Sequence, residues 1–396
     1  MNIGIVTRPT VTTKWGGDLR ALYAIGDGLE ELGHKVYYGP TANEVLKSEY
    51  IFLSNTCSDN RKNAEILQKK NKSYGVIGFH EDFIKYFGMA MAVPTYVDGM
   101  LKKMKDGGIP YSIEAWCSSP EVLRYYAQKP AKNGFINQNV LADAQACIAN
   151  SPMERDTMLR DSPTCNANSV FWELGLGGDN PEYSDEFLKV TGLKKGEYIL
   201  QVGRLETRKN QISSVLATRN LDMPLVFIAT TGYQENWYDP MVLECAKRYR
   251  KGDTIILHEA YEDADYGNGT RVMRMPKGKR LTDECLVSAY QNCGLHLHPA
   301  FWELPGYTYL EAAKLGVPTV ASSWGSLPDY CEMDGNPKEM DGRIKYTLPY
   351  DLNSIEGACK EMFGKTFDAS YTHPIFTRTK KDVATEIAGI CKFAMP

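Results

Sequence analysis

The chain has 396 residues, 43% of them hydrophobic and 24% charged, and its 45 Lys and Arg against 49 Asp and Glu leave a net charge of −4. These proportions exclude wholesale disorder and, at roughly 150 residues per domain, predict two or three domains with cores of their own. The slight acidity argues against a nucleic-acid binder, which would show a basic face.

No stretch approaches the roughly 18 to 20 apolar residues of a spanning helix, and the opening Met1 to Val6 carries no basic leader. A cytoplasmic protein with at most peripheral membrane contact is expected. The cysteines Cys57, Cys117, Cys147, Cys165, Cys245, Cys285, Cys293, Cys331, Cys359 and Cys391 form no Cys-x-x-Cys pair. They read as reduced structural thiols, and no metal site is expected.

In chain order, Asn2 to Val6 predicts a buried first strand. A turn-rich loop ends at Gly16-Gly17-Asp18, and Leu19, Leu22, Ile25, Leu29 and Leu32 then recur at helical spacing up to the glycine stop Gly33. Lys35 to Tyr38 is the next strand, so the unit is βαβ and the sheet parallel. Tyr50–Leu53, Tyr74–Phe79 and Ala146–Ser151 read as further strands, Tyr96–Lys105, Pro120–Gln128 and Pro152–Leu159 as helices. A Gly-rich stretch at 175–181 predicts the domain boundary. Past it, strands at Tyr198–Val202, Leu225–Thr230, Thr254–His258, Leu295–Pro299 and Thr319–Ala321 alternate with helices at Gln211–Thr218, Thr282–Asn292 and Tyr309–Leu315. Residues 262–280, polar and Gly-rich, read as a surface loop. The expectation is two doubly wound domains, 1–174 and 175–374, with a C-terminal helix at about 375–396 returning to complete the first. Ligands of such sheets bind at the carboxyl ends of the strands, so the loops after strands matter most.

Two of those loops carry chemistry. In Val202-Gly203-Arg204-Leu205-Glu206-Thr207-Arg208-Lys209-Asn210, Arg204 follows a strand and Lys209 stands near the start of a helix. A guanidinium, an ammonium and a helix N-terminus suit a diphosphate; a solvated charge cluster is the plainer reading. In His298 to Glu311, Glu303 lies in the post-strand loop, Pro305-Gly306 shapes a turn, and Glu311 falls on the next helix. Carboxylates suit the vicinal diol of a sugar; a surface Glu and a helix-capping Glu are the alternatives. The Trp/Tyr-rich loop Tyr233–Tyr238 and the basic run Lys102–Lys105 are read as surface features.

Together the segments resemble the retaining nucleotide-sugar glycosyltransferases of the family-4 type. The likeness rests on Gly203-Arg204-Leu205, Lys209-Asn210, Glu303, and Glu311 followed by Ala-Ala-Lys-Leu-Gly-Val-Pro-Thr-Val-Ala-Ser, with Gly16-Gly17 and Leu-Gly-His-Lys-Val at 32–36. It is most specific from about Glu197 to Asp329 and weak over 41–130 and the last sixty or so residues. The resemblance implies a GT-B fold of two facing Rossmann-like domains. It implies that Arg204 and Lys209 hold the donor diphosphate, Glu303 contacts the donor sugar, and Glu311 holds the ribose hydroxyls. The amides of Gly306, Tyr307 and Thr308 would touch phosphate or sugar, Gly16 and Gly17 would approach the donor from the opposite domain, and His80 would touch the sugar. Leu304-Pro305-Gly306 departs from the aromatic and glycine common there, and Asp329 stands where a Glu often sits.

The implied partners are a UDP- or GDP-linked sugar and a carbohydrate or glycoconjugate acceptor, with no cofactor and no metal. The sequence offers no Asp-x-Asp at the end of a predicted strand. Rival readings are a glycoside hydrolase using Glu303 and Glu311, which needs both carboxylates about 5 to 9 Å apart, an epimerase or phosphorylase on the same fold, and a silent sugar-nucleotide-binding protein.

Overall fold

A computed structural model describes residues 1–8, 16–56, 58–82, 85–86, 90, 138–175, 181–230, 238–259, 261–275, 281–333, 335, 339–368 and 370–393. The expected helices at Tyr96–Lys105 and Pro120–Gln128, the run Lys102–Lys105, Cys57, Cys117 and nearly all of the Tyr233–Tyr238 loop lie outside these residues.

The first half runs β1 (Asn2–Val6), α1 (Gly17–Glu31), β2 (Lys35–Gly39), α2 (Ala42–Val45), β3 (Tyr50–Ser54), α3 (Ser58–Lys69), β4 (Tyr74–Ile77), α4 (Gln138–Ala142), β5 (Ala146–Ala149), α5 (Pro152–Asp161) and β6 (Ala167–Ser169). Its strands form one parallel sheet in the order β2-β1-β3-β4-β5-β6. Alternate strand residues face opposite ways, and β1, β3, β4 and β5 are covered on both faces, which is why they read as near-continuous apolar runs. Ile3, Ile5, Phe52 and Ile148 pack beneath α1, while Val6, Ile51, Leu53, Val76 and Cys147 pack on the other face. Ser151 caps α5, accepting from Glu154 N at 3.3 Å.

The second half follows with α6 (Glu186–Thr191), β7 (Ile199–Val202), a 3-10 turn (Thr207–Lys209), α7 (Gln211–Ala217), β8 (Leu225–Ala229), α8 (Tyr238–Tyr249), β9 (Thr254–His258), β10 (Ala264–Gly267), β11 (Thr270–Arg274), α9 (Asp283–Asn292), β12 (Leu295–His298), α10 (Tyr307–Lys314), β13 (Thr319–Ser322), α11 (Leu327–Cys331), β14 (Ile344–Thr347) and α12 (Leu352–Met362). Its sheet order is β10-β11-β9-β8-β7-β12-β13-β14, parallel except for the β10–β11 pair. Residues 262–275 are therefore not the surface loop expected from composition. They are a hairpin that extends the sheet, β11 lying parallel to β9 and β10 forming a mostly exposed edge.

The chain then returns. The helix expected at about 375–396 is two helices, α13 (Pro374–Thr377) and α14 (Lys380–Ile390). The break falls at Arg378-Thr379, where Thr379 and Asp382 form a reciprocal capping box that starts α14 afresh. Helix α14 packs on α1, and Val383, Ala384, Ile387 and Phe393 join the core of the first half. All eight described cysteines are buried and unpaired. No described helix is long and apolar enough to cross a membrane.

In each sheet the chain steps first to one side and then to the other. The reversal lies between β1 and β3 in the first half and between β7 and β12 in the second. A crevice opens at the carboxyl ends of such strand pairs. The loops leaving β7 and β12 are the two that carry the charged motifs.

Candidate functional site

The loop after β7 turns sharply at Gly203, whose φ is 150°. Arg204 stands next, the 3-10 turn carries Arg208 and Lys209, and Asn210, at φ 61°, leads into α7. Asn210 holds this turn down by donating to Pro299 O at 2.8 Å and Pro349 O at 2.7 Å. From the neighbouring strand, the loop after β12 brings Glu303 alongside. Glu303 Oε1 accepts from Lys209 Nζ and lies 3.2 Å from His298 Nε2, while Oε2 lies 3.4 Å from Arg208 Nη1. A carboxylate only accepts, so the His298 proton sits on Nε2.

Glu303 is 5% exposed. Burial works to raise its carboxyl, but Lys209, Arg208 and His298 hold it well below the usual carboxylate range. Burial lowers His298 despite Glu303, so the ring is neutral near pH 7. Burial also lowers Lys209, against the pull of Glu303 and with help from Arg208. Arg208 is the hub. It donates to Trp302 O at 2.8 Å and Glu206 Oε1 at 2.9 Å, and its Nε lies 3.8 Å from Glu81 of the first half. Arg204 reaches Glu206 at 3.5 Å and keeps 40% of its side chain exposed.

Leu304–Pro305 is cis, and Gly306 takes φ 84° as the residue before α10. The amides of Gly306, Tyr307 and Thr308 thus lie at the start of that helix, between Glu303 and Glu311 in sequence. Glu311, 4% exposed, accepts from Arg20 Nη1 of α1 at 2.7 Å. Burial raises its carboxyl and Arg20 pulls it back. Gly16 precedes α1 and Gly17 begins it. A Cβ on Gly17 would lie 3.5 Å from the Tyr307 ring, so Gly17 of the first half faces the start of α10 in the second.

The structure therefore brings Lys209 and Glu303 into contact, Arg204 near them through Glu206, and Gly17 opposite Tyr307. Glu311 stands apart, sharing no partner with Glu303 among the described residues. His80 is not brought to this group. It is 2% exposed, its Nδ1 2.7 Å from Thr56 Oγ1 and its Nε2 2.8 Å from Asp161, inside the first half. Asp329 is a joint between the halves, accepting from Met153 N at 2.6 Å. Ser151 and Ser326 meet at 3.1 Å, and Trp172 N donates to Tyr330 Oη at 3.0 Å. Arg208, His298 and Arg20 were not singled out from sequence. Arg208 stands inside the charged motif, and His298 ends the strand before Glu303, but nothing local marks Arg20 as a partner of Glu311.

Two cavities border the site. One of about 480 Å3 is lined by Arg20, Tyr23, Asp27, Glu173 and the Arg378–Lys380 turn. The other, of about 420 Å3, lies between the halves beside Lys85, Arg160, Trp302 and Asp329. Neither is walled by Arg204, Lys209 or Glu303: Lys209 and Glu303 pair with each other, and Arg204 reaches Glu206. Among the described residues no group of three His, Cys, Asp or Glu could hold a metal ion.

No family model matches the sequence, and no curated protein matches it. Solved structures do. HepE of Anabaena, solved with UDP and glucose, aligns at TM-score 0.63 and 14% identity over 99% of this chain and 99% of its own. Sucrose-phosphate synthase of Thermosynechococcus elongatus aligns at TM-score 0.58 and 15% identity over 100% and 94%. MnaA of S. aureus, solved with UDP, aligns at TM-score 0.54 and 11% identity over 99% and 96%. Two Rossmann-like halves, each built on a parallel sheet with its own reversal of strand order, define the class: the chain has the GT-B fold.

Proposed function

We propose that this protein is a glycosyltransferase that moves a sugar from a UDP- or GDP-linked donor to an acceptor hydroxyl, with retention of anomeric configuration and without a metal. The observation that carries the reading is the Glu303 carboxylate, held ionised by Lys209 and Arg208 at the carboxyl ends of β7 and β12. The GT-B fold supports it, as do two structural neighbours solved with UDP.

In this reading the diphosphate leaves as an anion while the anomeric carbon becomes oxocarbenium-like. Arg204 is the exposed cation and takes the diphosphate first. Lys209 and Arg208, both largely buried, then add charge where electrostatic stabilisation is strong. Glu303 accepts from donor-sugar hydroxyls, and Glu311 from the ribose. Retention follows if the acceptor attacks from the face the phosphate leaves, the phosphate oxygen taking the acceptor proton. His80 has no part in this site, since both its ring nitrogens are engaged inside the first half. The hydrolase reading asks Glu303 and Glu311 to flank one bond, yet one is bound to Lys209 and the other to Arg20.

The test is thermal shift against UDP, GDP, ADP and CMP in excess chelator. A ligand at about 100 times its Kd stabilises by about 2.7 kcal/mol. A selective shift by UDP or GDP is expected, weakened in Glu311→Ala. With the matching nucleotide sugar and an acceptor, Lys209→Ala is expected to lose nearly all turnover. Normal binding in the first variant and normal turnover in the second would overturn the reading.

A further inference from the structure

Glu311, assigned above to the ribose, is not open to one here. It is 4% exposed, and its Oε1 is taken by Arg20 of the opposite half at 2.7 Å. A side chain so enclosed offers its oxygens to a vicinal diol only if a neighbour moves, and Arg20, its partner from the opposite half, keeps 33% of its own side chain exposed. Burying the Glu311 charge unpaired is costly, and Arg20 supplies the partner.

The Arg20 guanidinium has somewhere else to go. It lies against the segment joining the halves, where a Cβ on Gly175 would fall 2.0 Å from Nη2. Two residues earlier in that segment stands Glu173, and Arg20 and Glu173 share the wall of the 480 Å3 cavity. The Tyr307 ring, 5.3 Å from the guanidinium, forms the third side. Tyr307 is also the ring that faces Gly17, so the contact ties α1 to the start of α10 at two points.

We propose that Arg20 is a latch on the nucleotide site: it holds Glu311 across the halves and swings to Glu173 when a nucleoside diphosphate takes Glu311. The proposal rests on the reading of Glu311 as the ribose acceptor. It adds that the paired arrangement excludes the nucleotide, which reduces apparent affinity to the fraction of molecules unlatched. Arg20 does not touch the nucleotide. It acts through Glu311.

The experiment is isothermal titration of UDP and of GDP, with chelator, into the wild type, Arg20→Ala, Arg20→Lys, Glu173→Gln and Glu311→Ala. Removing the latch is expected to tighten binding of the nucleotide that the wild type binds, by about fivefold. Arg20→Lys keeps the pair and stays near wild type, which separates a latch from a structural role. Glu173→Gln removes the second resting place and weakens binding, an effect expected to vanish in the double variant with Arg20→Ala. Unchanged or weaker binding in a folded Arg20→Ala overturns the latch, while Glu311→Ala still reports on the ribose reading. No binding of either nucleotide by the wild type overturns that reading, and the latch with it. Near-ultraviolet circular dichroism checks that each variant is folded.

Discussion

Glu154 and Glu303 are both buried glutamates, and the groups around them give them opposite titrations. Glu154 lies in the first turn of α5, where Oε1 accepts from His80 N and Oε2 from Asn150 N, each at 2.5 Å. Burial outweighs those hydrogen bonds and pushes its carboxyl up to about 7 from the ordinary 4.5. Between those two values the folded protein keeps a proton the unfolded chain has lost, so stability falls as pH rises through the window. Above about 7 both states are ionised and the loss is complete, up to about 3 kcal/mol. Glu303 is the reverse case. Its carboxyl is held low, so its contribution is present above the unfolded value and lost as pH falls. Glu154→Gln is expected to flatten the descent between pH 4.5 and 7, read as the difference between wild-type and variant urea midpoints at pH 5, 6, 7 and 8. A descent of the same size in both proteins would assign the effect elsewhere.

Among the elements, α1 and α14 pack closely, and they meet at Gly28. A Cβ there would lie 2.2 Å from the backbone oxygen of Lys380 and 2.9 Å from the Ala384 Cβ. Alanine gains about 1 kcal/mol of helix propensity over glycine, but overpacking against backbone costs about 1 to 3 kcal/mol. Gly28→Ala is therefore expected to lower the melting temperature. Gly389, on α14 itself, has nothing within 4 Å of where its Cβ would be. There only the propensity term acts, and Gly389→Ala is expected to raise the melting temperature. Calorimetry on the two variants separates the effects by sign, and equal signs would contradict the packing argument. The strands that were legible in sequence are those buried on both faces, such as Ile51–Leu53 and Leu225–Ala229. Ala167–Ser169 was not, because three small and polar residues carry no period, and β10 was hidden because an exposed edge needs no apolar run. At the site, Arg204, Lys209, Glu303 and Glu311 stand in local motifs and could be read. Arg20 could not, since its pair with Glu311 spans 291 residues.

For the whole molecule, the order of the chain matters as much as the two sheets. The second half is threaded between β6 and α14, so the first half is closed by the last helix of the protein. The two crossings run side by side, with Arg378 Nε donating to Phe171 O at 2.7 Å. Val383, Ala384, Ile387, Ala388, Cys391 and Phe393 fill the same core as Ile3, Ile5, Leu22, Ile25, Tyr50 and Phe52. Phe393 alone meets Tyr50 and Phe52 edge-on, at ring separations of 4.9 and 6.1 Å. A fully buried aliphatic or aromatic side chain contributes about 1.5 to 3 kcal/mol, so removing the three largest of this set forfeits about 5 to 9 kcal/mol. That is comparable with the entire stability of an ordinary domain, about 5 to 15 kcal/mol. Among the described residues, the cores around β7, β8 and β12 take nothing from beyond 379. Truncation after Arg378 is therefore expected to melt the first sheet and leave the second standing. Hydrogen exchange read by mass spectrometry would show peptides from β1, α1 and β3 losing protection, while those from β7, β8 and β12 keep it. Retained protection in β1 and β3 would mean the first sheet closes its core without the returning helix, and uniform loss would mean the halves fold as one unit.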